Sequence, residues 1–458
     1  MLKQQFSRGI LSACLMTALA SASGTTLAAA TAEEVARLGA DLTPVGAEKA
    51  GNAEGTIPAW DGGITAPPAG FVSAKEGYVD PYADEQPVLV ITAQNADQHK
   101  DKLSVGHLEM LKKYPDTFKM NVYPTHRSAS YPQKVYDDVK ANAAAAETAD
   151  GGNGVLNSGT SSVPFPFPKT GQEVMWNHTF RWKGGNTHRA YDGMPVQPNG
   201  NFYRVRWDEE WYNPLTGGVA NAKEDMLAYI LITAKAPATL AGTMFLVHDA
   251  VNQVESPRKA WIYNAGQRRV RRAPELGYDF SPDGSDALRC ADQYDGWVGA
   301  TDRYDWNLVG KKELYVPYNS YKMADKSKKY EDMIQPGHLD PELARYELHR
   351  VWVVEATLKD GERHIFGKRT FYIDEDTWSV NVADNYDTRG DMWRLEETHI
   401  MNFYDAQVNW TAATPQYDLN SGAYIHFYAQ NEVSEPTRFG IEGDAKKLQP
   451  RALKRRGF

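Results

Sequence analysis

Apolar and polar positions follow two different periods along this chain. Up to about residue 150, apolar side chains recur at helical spacing. "TAEEVARLG" pairs Thr31 with Glu34 at capping-box spacing and ends on Gly39, which predicts a short helix. "NADQHKDKLSVGHLEMLKKYPD" puts Leu103, His107, Met110 and Tyr114 on one helical face, and Pro115 stops it. "SYPQKVYDDVKANAAAAE" predicts a further helix, with Ser130 as N-cap, Gln133 at capping-box spacing, and Val135 and Val139 as its apolar edge. "GAEKAGNAEGTIPAWDGGITAPPAGF" is too rich in Gly and Pro for either period. It is expected as an extended strap over the body, anchored by Ile57 and Trp60. "DGGNGVLNSGTSS" is expected as a flexible loop.

From about residue 176 the period becomes two. Tyr346 to Leu358 is the clearest strand. It has Tyr346, Leu348, Trp352, Val354, Ala356 and Leu358 on one face and Glu347, His349, Glu355 and Thr357 on the other. The turns "KDGE", "DEDT" and "DTRG" then link strand after strand with no helix between them, which is an antiparallel meander. "NFYRVRW", "MLAYILITAK", "GTMFLVHDAV", "RKAWIYN" and "RRVRR" repeat that logic earlier in the chain. Several of these strands exceed the usual length of about 5–6 residues. The expected fold is therefore mainly β (α+β). It is a strongly curved antiparallel sheet with one concave apolar face, a few helices, and a helical and extended N-terminal region. The expected divisions are a leader at 1–30, a strap region at 31–165 packed on the body, and the β domain at 166–458.

"VPFPFPKTGQEVMWNHTF", Val163 to Phe180, precedes the first strand. Proline fixes an extended backbone and cannot join a central ladder, so "PFPFP" belongs at an edge or rim. Phe165 and Phe167 share one side of that run and can cap apolar space, and Trp176, Asn177 and His178 are expected to open the first strand. The stretch reads as an entrance clasp.

The N-terminus adds a location. Lys3 and Arg8 precede the apolar run "ILSACLMTALA", and Ala28 to Ala30 supply a small-residue cleavage site, the layout of a secretory signal peptide. "LSAC" at Leu11 to Cys14 resembles a lipoprotein cleavage box, but only five residues separate Arg8 from Cys14. The expected protein is periplasmic, cleaved near Ala30, with no transmembrane segment in the mature chain and Cys290 as its single cysteine. With no disulfide possible, the fold rests on its core. The net charge of −9 argues against nucleic-acid binding. An aromatic content of 11%, with 25 Tyr and 12 Trp, favours strands and binding surfaces.

Candidate chemistry is sparse. The chain contains no G-x-S-x-G elbow, H-E-x-x-H pair, P-loop or G-x-G-x-x-G fingerprint, and one mature cysteine makes no thiolate metal cluster. No cofactor and no metal are expected. Glu397 and His399 are the weak catalytic candidates, because "DMWRLEETHIMNF" puts them on one face with Trp393, Leu395, Met401 and Phe403. A buried carboxylate and imidazole there would form either a general acid/base pair or a structural hydrogen bond. Arg269 and Arg271 share one face of "RRVRR" and suit an anionic headgroup or acidic partner.

Two long stretches carry a resemblance. "LGADLTPVGAEKAGNAEGTIPAWDGGI" (Leu38 to Ile64) and "PFPFPKTGQEVMWNH" (Pro164 to His178) resemble the signatures of the domain of unknown function 1329 (DUF1329) family of secreted bacterial proteins. A weaker resemblance joins "RKAWIYNAGQRRVRRA" and "GKRTFYIDEDTWSV" to the LolA/LolB (outer membrane lipoprotein-sorting protein-like) carriers. These resemblances imply a LolA-like half-barrel whose concave face holds acyl chains. They also imply envelope partners, namely an RND-type exporter and an outer-membrane protein. This chain is much longer than those carriers, so their cargo does not carry over. The first expectation is a periplasmic carrier of a lipid or other lipophilic small molecule. Its wall would be formed by Trp352, Val354, Trp378, Val380, Trp393, Leu395 and Phe403, with Phe165, Phe167 and Trp176 at the mouth. A hydrolase acting on an envelope lipid or polyester, and a ligand-free adaptor subunit of an export complex, are the alternatives.

Overall fold

The computed structural model describes residues 29–456, so the expected signal segment lies outside the described residues except for Ala29 and Ala30. The first helices start where local chemistry places them. α1 (Ala32–Arg37) carries the full Thr31–Glu34 capping box, and Gly39 follows it with φ of 86°. α2 (Val105–Lys113) is capped by the Ser104 side chain and ends at Tyr114, just before Pro115. α3 (Gln133–Ala145) corrects the expected cap. Pro132 takes the N-cap position, and the Ser130 hydroxyl donates instead to the Ile64 carbonyl of the strap. The glycine-rich loop is also more ordered than its composition suggests. Glu147–Thr148 pairs with Val155–Leu156, and Val155 is fully buried.

α4 (Gly171–Phe180) is the larger correction, because Trp176, Asn177 and His178 lie in a helix and not in a strand. Its start is signalled locally: the Thr170 side chain accepts from Glu173 N–H, and the Glu173 carboxylate accepts from Lys169 N–H at 2.5 Å. Its periodicity is hidden because eight of its ten residues are buried, so no polar face marks the helical period.

Sixteen strands form one sheet. β1 (Leu89–Ile91) and β2 (Met120–Val122) come from the N-terminal region. β3 (Thr187–Val196), β4 (Val205–Tyr212) and β5 (Met226–Ala236) follow α4. They continue into β6 (Met244–Ala250), β7 (Lys259–Asn264) and β8 (Arg269–Arg272). The meander is β9 (Tyr304–Pro317), β10 (Tyr346–Leu358), β11 (Lys368–Asp374), β12 (Val380–Tyr386) and β13 (Met392–Glu397). β14 (His399–Phe403), β15 (Val408–Asp418) and β16 (Tyr424–Ala429) return the chain to the first half. The spatial order is β1-β2-β10-β11-β12-β13-β15-β16-β3-β4-β5-β6-β7-β8, with β9 beside β10 and β14 beside β15. Its ladders are antiparallel except for the single parallel bridge between Val122 and Tyr346. The fold class is the expected one: mainly β, antiparallel and unclosed, with few helices.

Both faces of this sheet are covered. Adjacent residues part into different cores, as alternation requires. Val354, Phe371 and Ala383 pack with Val139 of α3 and Val174 of α4, while Val353, Tyr372 and Val382 pack with Met110 of α2. In the first half, Ile230 and Phe245 belong to the α4 side, while Tyr229, Leu231 and Leu246 pack against Leu448 and Leu453 near the C-terminus. This double cover explains why "MLAYILITAK" is apolar on both faces.

α2 approaches the sheet closely because residue 106 is glycine. A Cβ there would lie 2.6 Å from Asp384 Oδ1 and 2.7 Å from Leu395 Cδ1, and the Gly106 N–H donates to that same carboxylate oxygen at 3.0 Å. Gly106→Ala is expected to cost about 1–3 kcal/mol by overpacking. The measurement is the urea unfolding midpoint, and an unchanged midpoint would show that α2 can shift freely.

Candidate functional site: an apolar cavity beneath a pinned segment

Residues 274–298 have almost no regular structure, yet they lie across the α4 side of β4, β5 and β6. Between this segment and the sheet is a cavity of about 60 Å³. The sheet contributes Trp207, Ile230, Ile232, Phe245 and Val247, and the covering segment contributes Leu276, Arg289, Tyr294 and Val298. The strands supply these side chains at alternate positions: Ile232 pairs with Phe245, and Ile230 with Val247. The wall is apolar apart from the guanidinium groups of Arg258 and Arg289 and the phenols of Tyr191 and Tyr294.

The segment is held down by buried polar groups rather than by secondary structure. Asp295 Oδ1 accepts from Arg181 Nη2 at 2.7 Å and from Trp410 Nε1 at 2.8 Å. Lys183 Nζ lies 3.3 Å from Oδ2. Burial alone would push the Asp295 carboxyl up, but Arg181 and Lys183 hold it below the ordinary carboxylate range. Burial also lowers Lys183, to about 7. Tyr294 donates to Glu209, which also pairs with Arg189 at 2.9 Å. Gln293 donates to Glu396 at 2.9 Å, and burial raises the Glu396 carboxyl to about 7 against the opposing pull of Arg369. His178 of α4 completes the seam. Its Nδ1 lies 3.1 Å from Val380 N and its Nε2 lies 2.8 Å from the Asp295 carbonyl, and burial holds its pKa well below the ordinary value.

Two acidic clusters have the outline of metal sites: Cys290 with Asp292 and His364, and His349 with Asp374 and Asp376. Guanidinium groups already occupy both. Arg369 Nη1 is 2.9 Å from Asp292 Oδ2, and Arg127 is bidentate on Asp376 at 2.8 and 2.7 Å. Burial, with Asp292 adding to it, pushes the Cys290 thiol up, so it stays protonated. A cation would compete with an arginine at either place, and the groups present fit polar pins better than ligands.

The expected wall residues do not meet at this cavity. Trp352, Val354, Trp378 and Val380 come together under α3 and α4, where Trp352 stacks on Trp378 at 6.1 Å. Leu395 faces the other way, beneath α2. Trp393 is half-buried with its Nε1 on Asp418, and Phe403 packs among Tyr78 and Phe439. Phe165 and Phe167 lie beside α4, where Asn177 holds both the N–H and the carbonyl of Phe165 at 2.8 and 2.7 Å. Trp176 is buried with its Nε1 on the Gly152 carbonyl. Arg269 and Arg271 are exposed on β8 at one end of the sheet, with Arg271 paired to Glu275 at 2.7 Å.

Glu397 and His399 share a buried cluster on the α2 side. Glu397 Oε1 accepts from Tyr346 at 2.7 Å and meets His107 Nε2 at 3.1 Å. His399 Nε2 is 3.6 Å from Glu397 Oε2, and Ser320 Oγ is 3.5 Å from His399 Nδ1. This has the outline of a hydroxyl, imidazole and carboxylate series. All three side chains are nearly inaccessible, however, and none lines the apolar cavity. Against the effect of burial, the hydrogen bond with His107 and the nearby His399 imidazole hold Glu397 well below the ordinary carboxylate range.

The cavity itself has no sequence signature. Residues 226–250 are apolar on both faces, and Arg289 sits in "DALRCADQY", a loop without period. The signal for α4, by contrast, was present as Thr170 and Glu173.

The two stretches that carried the family resemblance touch in the fold. Val45 accepts from Trp378 Nε1 at 3.0 Å, and a Cβ on Gly46, which has φ of 97°, would lie 2.6 Å from the Pro166 carbonyl. The profile of the family described as "Protein of unknown function (DUF1329)" matches residues 90–454. An uncharacterized protein of Pseudomonas aeruginosa is 48% identical over 439 residues, covering 94% of this chain and 95% of that one. A solved DUF1329 family protein from Desulfovibrio piger is similar at 15% identity and a TM-score of 0.41, over 59% of this chain and 92% of its own. A Vibrio parahaemolyticus domain named for outer membrane lipoprotein sorting is similar at 14% identity and a TM-score of 0.42, over 62% and 97%. With its profile match spanning most of the sequence and a relative nearly half identical along it, this chain belongs to the DUF1329 family.

Proposed function

We propose that this protein is a periplasmic carrier that shelters a lipophilic molecule between its sheet and the segment 274–298, and hands it on to envelope partners. The observation that carries this reading is the apolar cavity on the sheet side of that segment. Each Å² of apolar cargo surface removed from water there contributes about 25 cal/mol. The cavity as it stands takes only a short apolar stretch, so a longer tail requires residues 274–298 to yield. Handover to an RND-type exporter and an outer-membrane protein is the finer part of the proposal and rests on the sequence resemblance. No described helix is long and apolar enough to cross a membrane.

The test is to purify the protein from its native envelope, extract it with organic solvent, and identify what it carried by mass spectrometry. A stoichiometric apolar compound, absent from an Ile232→Trp variant that remains folded, is the expected result. An empty extract, repeated after incubation with envelope lipids, would overturn the carrier reading in favour of the adaptor.

A further inference from the structure

Eight arginines are buried among the described residues, and seven of them pair with a carboxylate. Their partners are Asp376 for Arg127, Asp295 for Arg181, Glu209 for Arg189, Glu347 for Arg345, Glu375 for Arg350, Asp292 for Arg369 and Asp418 for Arg394. Arg289 is the eighth. It is 5% exposed and lines the apolar cavity, and its Nε has no hydrogen-bond partner. No carboxylate among the described residues forms an ion pair with it. Its guanidinium lies 4.2 Å from the Phe427 ring centroid and 6.0 Å from that of Tyr294. Ring contacts of this kind stabilise a cation but satisfy none of its five N–H donors.

The neighbouring cation behaves differently. Arg258 also lines the cavity, but Asp249 holds it in a fork at 2.6 and 2.7 Å, and the Val298 carbonyl accepts from it at 2.9 Å. Glu396 is close enough to feel the field of Arg289, but its Oε2 is taken by Gln293 and it forms no contact with the guanidinium. A buried charge left without a partner is costly. The fold supplies a counter-ion at every other such position and omits it at the cavity wall.

We infer that Arg289 is an anion-binding subsite, and that the cargo is an amphiphile with one anionic group, a carboxylate or a phosphate, joined to an apolar tail. The guanidinium fork suits either anion, and the tail runs along Ile230, Ile232 and Phe245. This inference rests on the carrier reading and deepens it by naming the class of cargo.

The test uses the mature protein loaded with the neutral fluorescent probe N-phenylnaphthylamine, which decanoate, decyl phosphate and decanol are then set to displace. At least one of the two anions is expected to displace the probe at a concentration about ten- to a hundredfold below that of decanol. Whichever anion is stronger distinguishes a carboxylate from a phosphate cargo. Arg289→Gln should abolish the gap while leaving decanol unchanged, and Arg289→Lys should retain part of it. Equal displacement by all three compounds on the native protein, which needs no variant to fold, would overturn the anion subsite while the carrier reading stood. A gap that survives Arg289→Gln would likewise remove Arg289 as its source. Failure to bind the probe, decanol or either anion would overturn both readings.

Discussion

Replacing Asp295 with alanine is expected to destabilise the protein by about 3–5 kcal/mol, the usual cost of removing one member of a buried charged cluster. Arg181 and Lys183 would remain in the interior, 2% and 6% exposed, with no carboxylate between them. Trp410 would lose the acceptor for its Nε1. The backbone adds to the case. Asp295 adopts φ of 54°, a left-handed conformation that Asp tolerates better than alanine. Urea unfolding gives the magnitude, and hydrogen exchange gives the place. Amides of residues 291–299 should lose protection before those of β10 and β11, because Asp295 joins the covering segment to α4 and the sheet. A loss below about 1 kcal/mol would show that hydrophobic packing alone holds that segment.

The second large effect is on pH dependence. His349 is buried between Glu347 Oε2 and Asp374 Oδ1, each at 3.3 Å, with the Tyr318 ring stacked 3.9 Å away. Burial would lower its pKa, but the adjacent carboxylates of Asp374 and Glu347 outweigh that and raise it to about 9 from 6.5. The folded state therefore binds a proton that the unfolded state releases between those values. The stabilisation is complete below pH 6.5 and is lost as pH rises to about 9, a change on the order of 3 kcal/mol. Glu396 acts in the same direction in a lower window, since its raised pKa of about 7 makes stability fall as pH rises from 4.5 to 7. From pH 7 to pH 9 the buried Lys183, lowered to about 7 from 10.5, acts in the opposite sense and makes stability rise with pH, so the histidine contribution is read as the difference between two unfolding profiles. Stability of His349→Gln should rise more steeply with pH than that of the native protein over this window, and identical profiles would exclude a His349 contribution.

These predictions fall on residues that differ in how visible they were beforehand. Tyr346 to Leu358 could be read as a strand from alternation alone, and the hairpins that follow it from their turn residues. Glu347 and His349 appeared there as the polar face of a strand. Their burial depends on Asn319, Arg345 and the His126 backbone, which the fold brings onto that carboxylate. The helix at Gly171–Phe180 was legible in Thr170 and Glu173, but its burial on nearly every side removed the polar stripe by which a helix is recognised.

Residues close together in the chain settle the α1 cap, the strand Tyr346–Leu358 with the hairpins that follow it, and the family. Tertiary structure decided which face carries the cavity. Both faces of the first-half strands are apolar, and alternation cannot name the inner face of a sheet covered on both sides. It also decided that seven buried arginines find carboxylates and Arg289 does not. Most of those partners lie far from their arginines in sequence, and an unpaired charge appears only once the contacts around it exist.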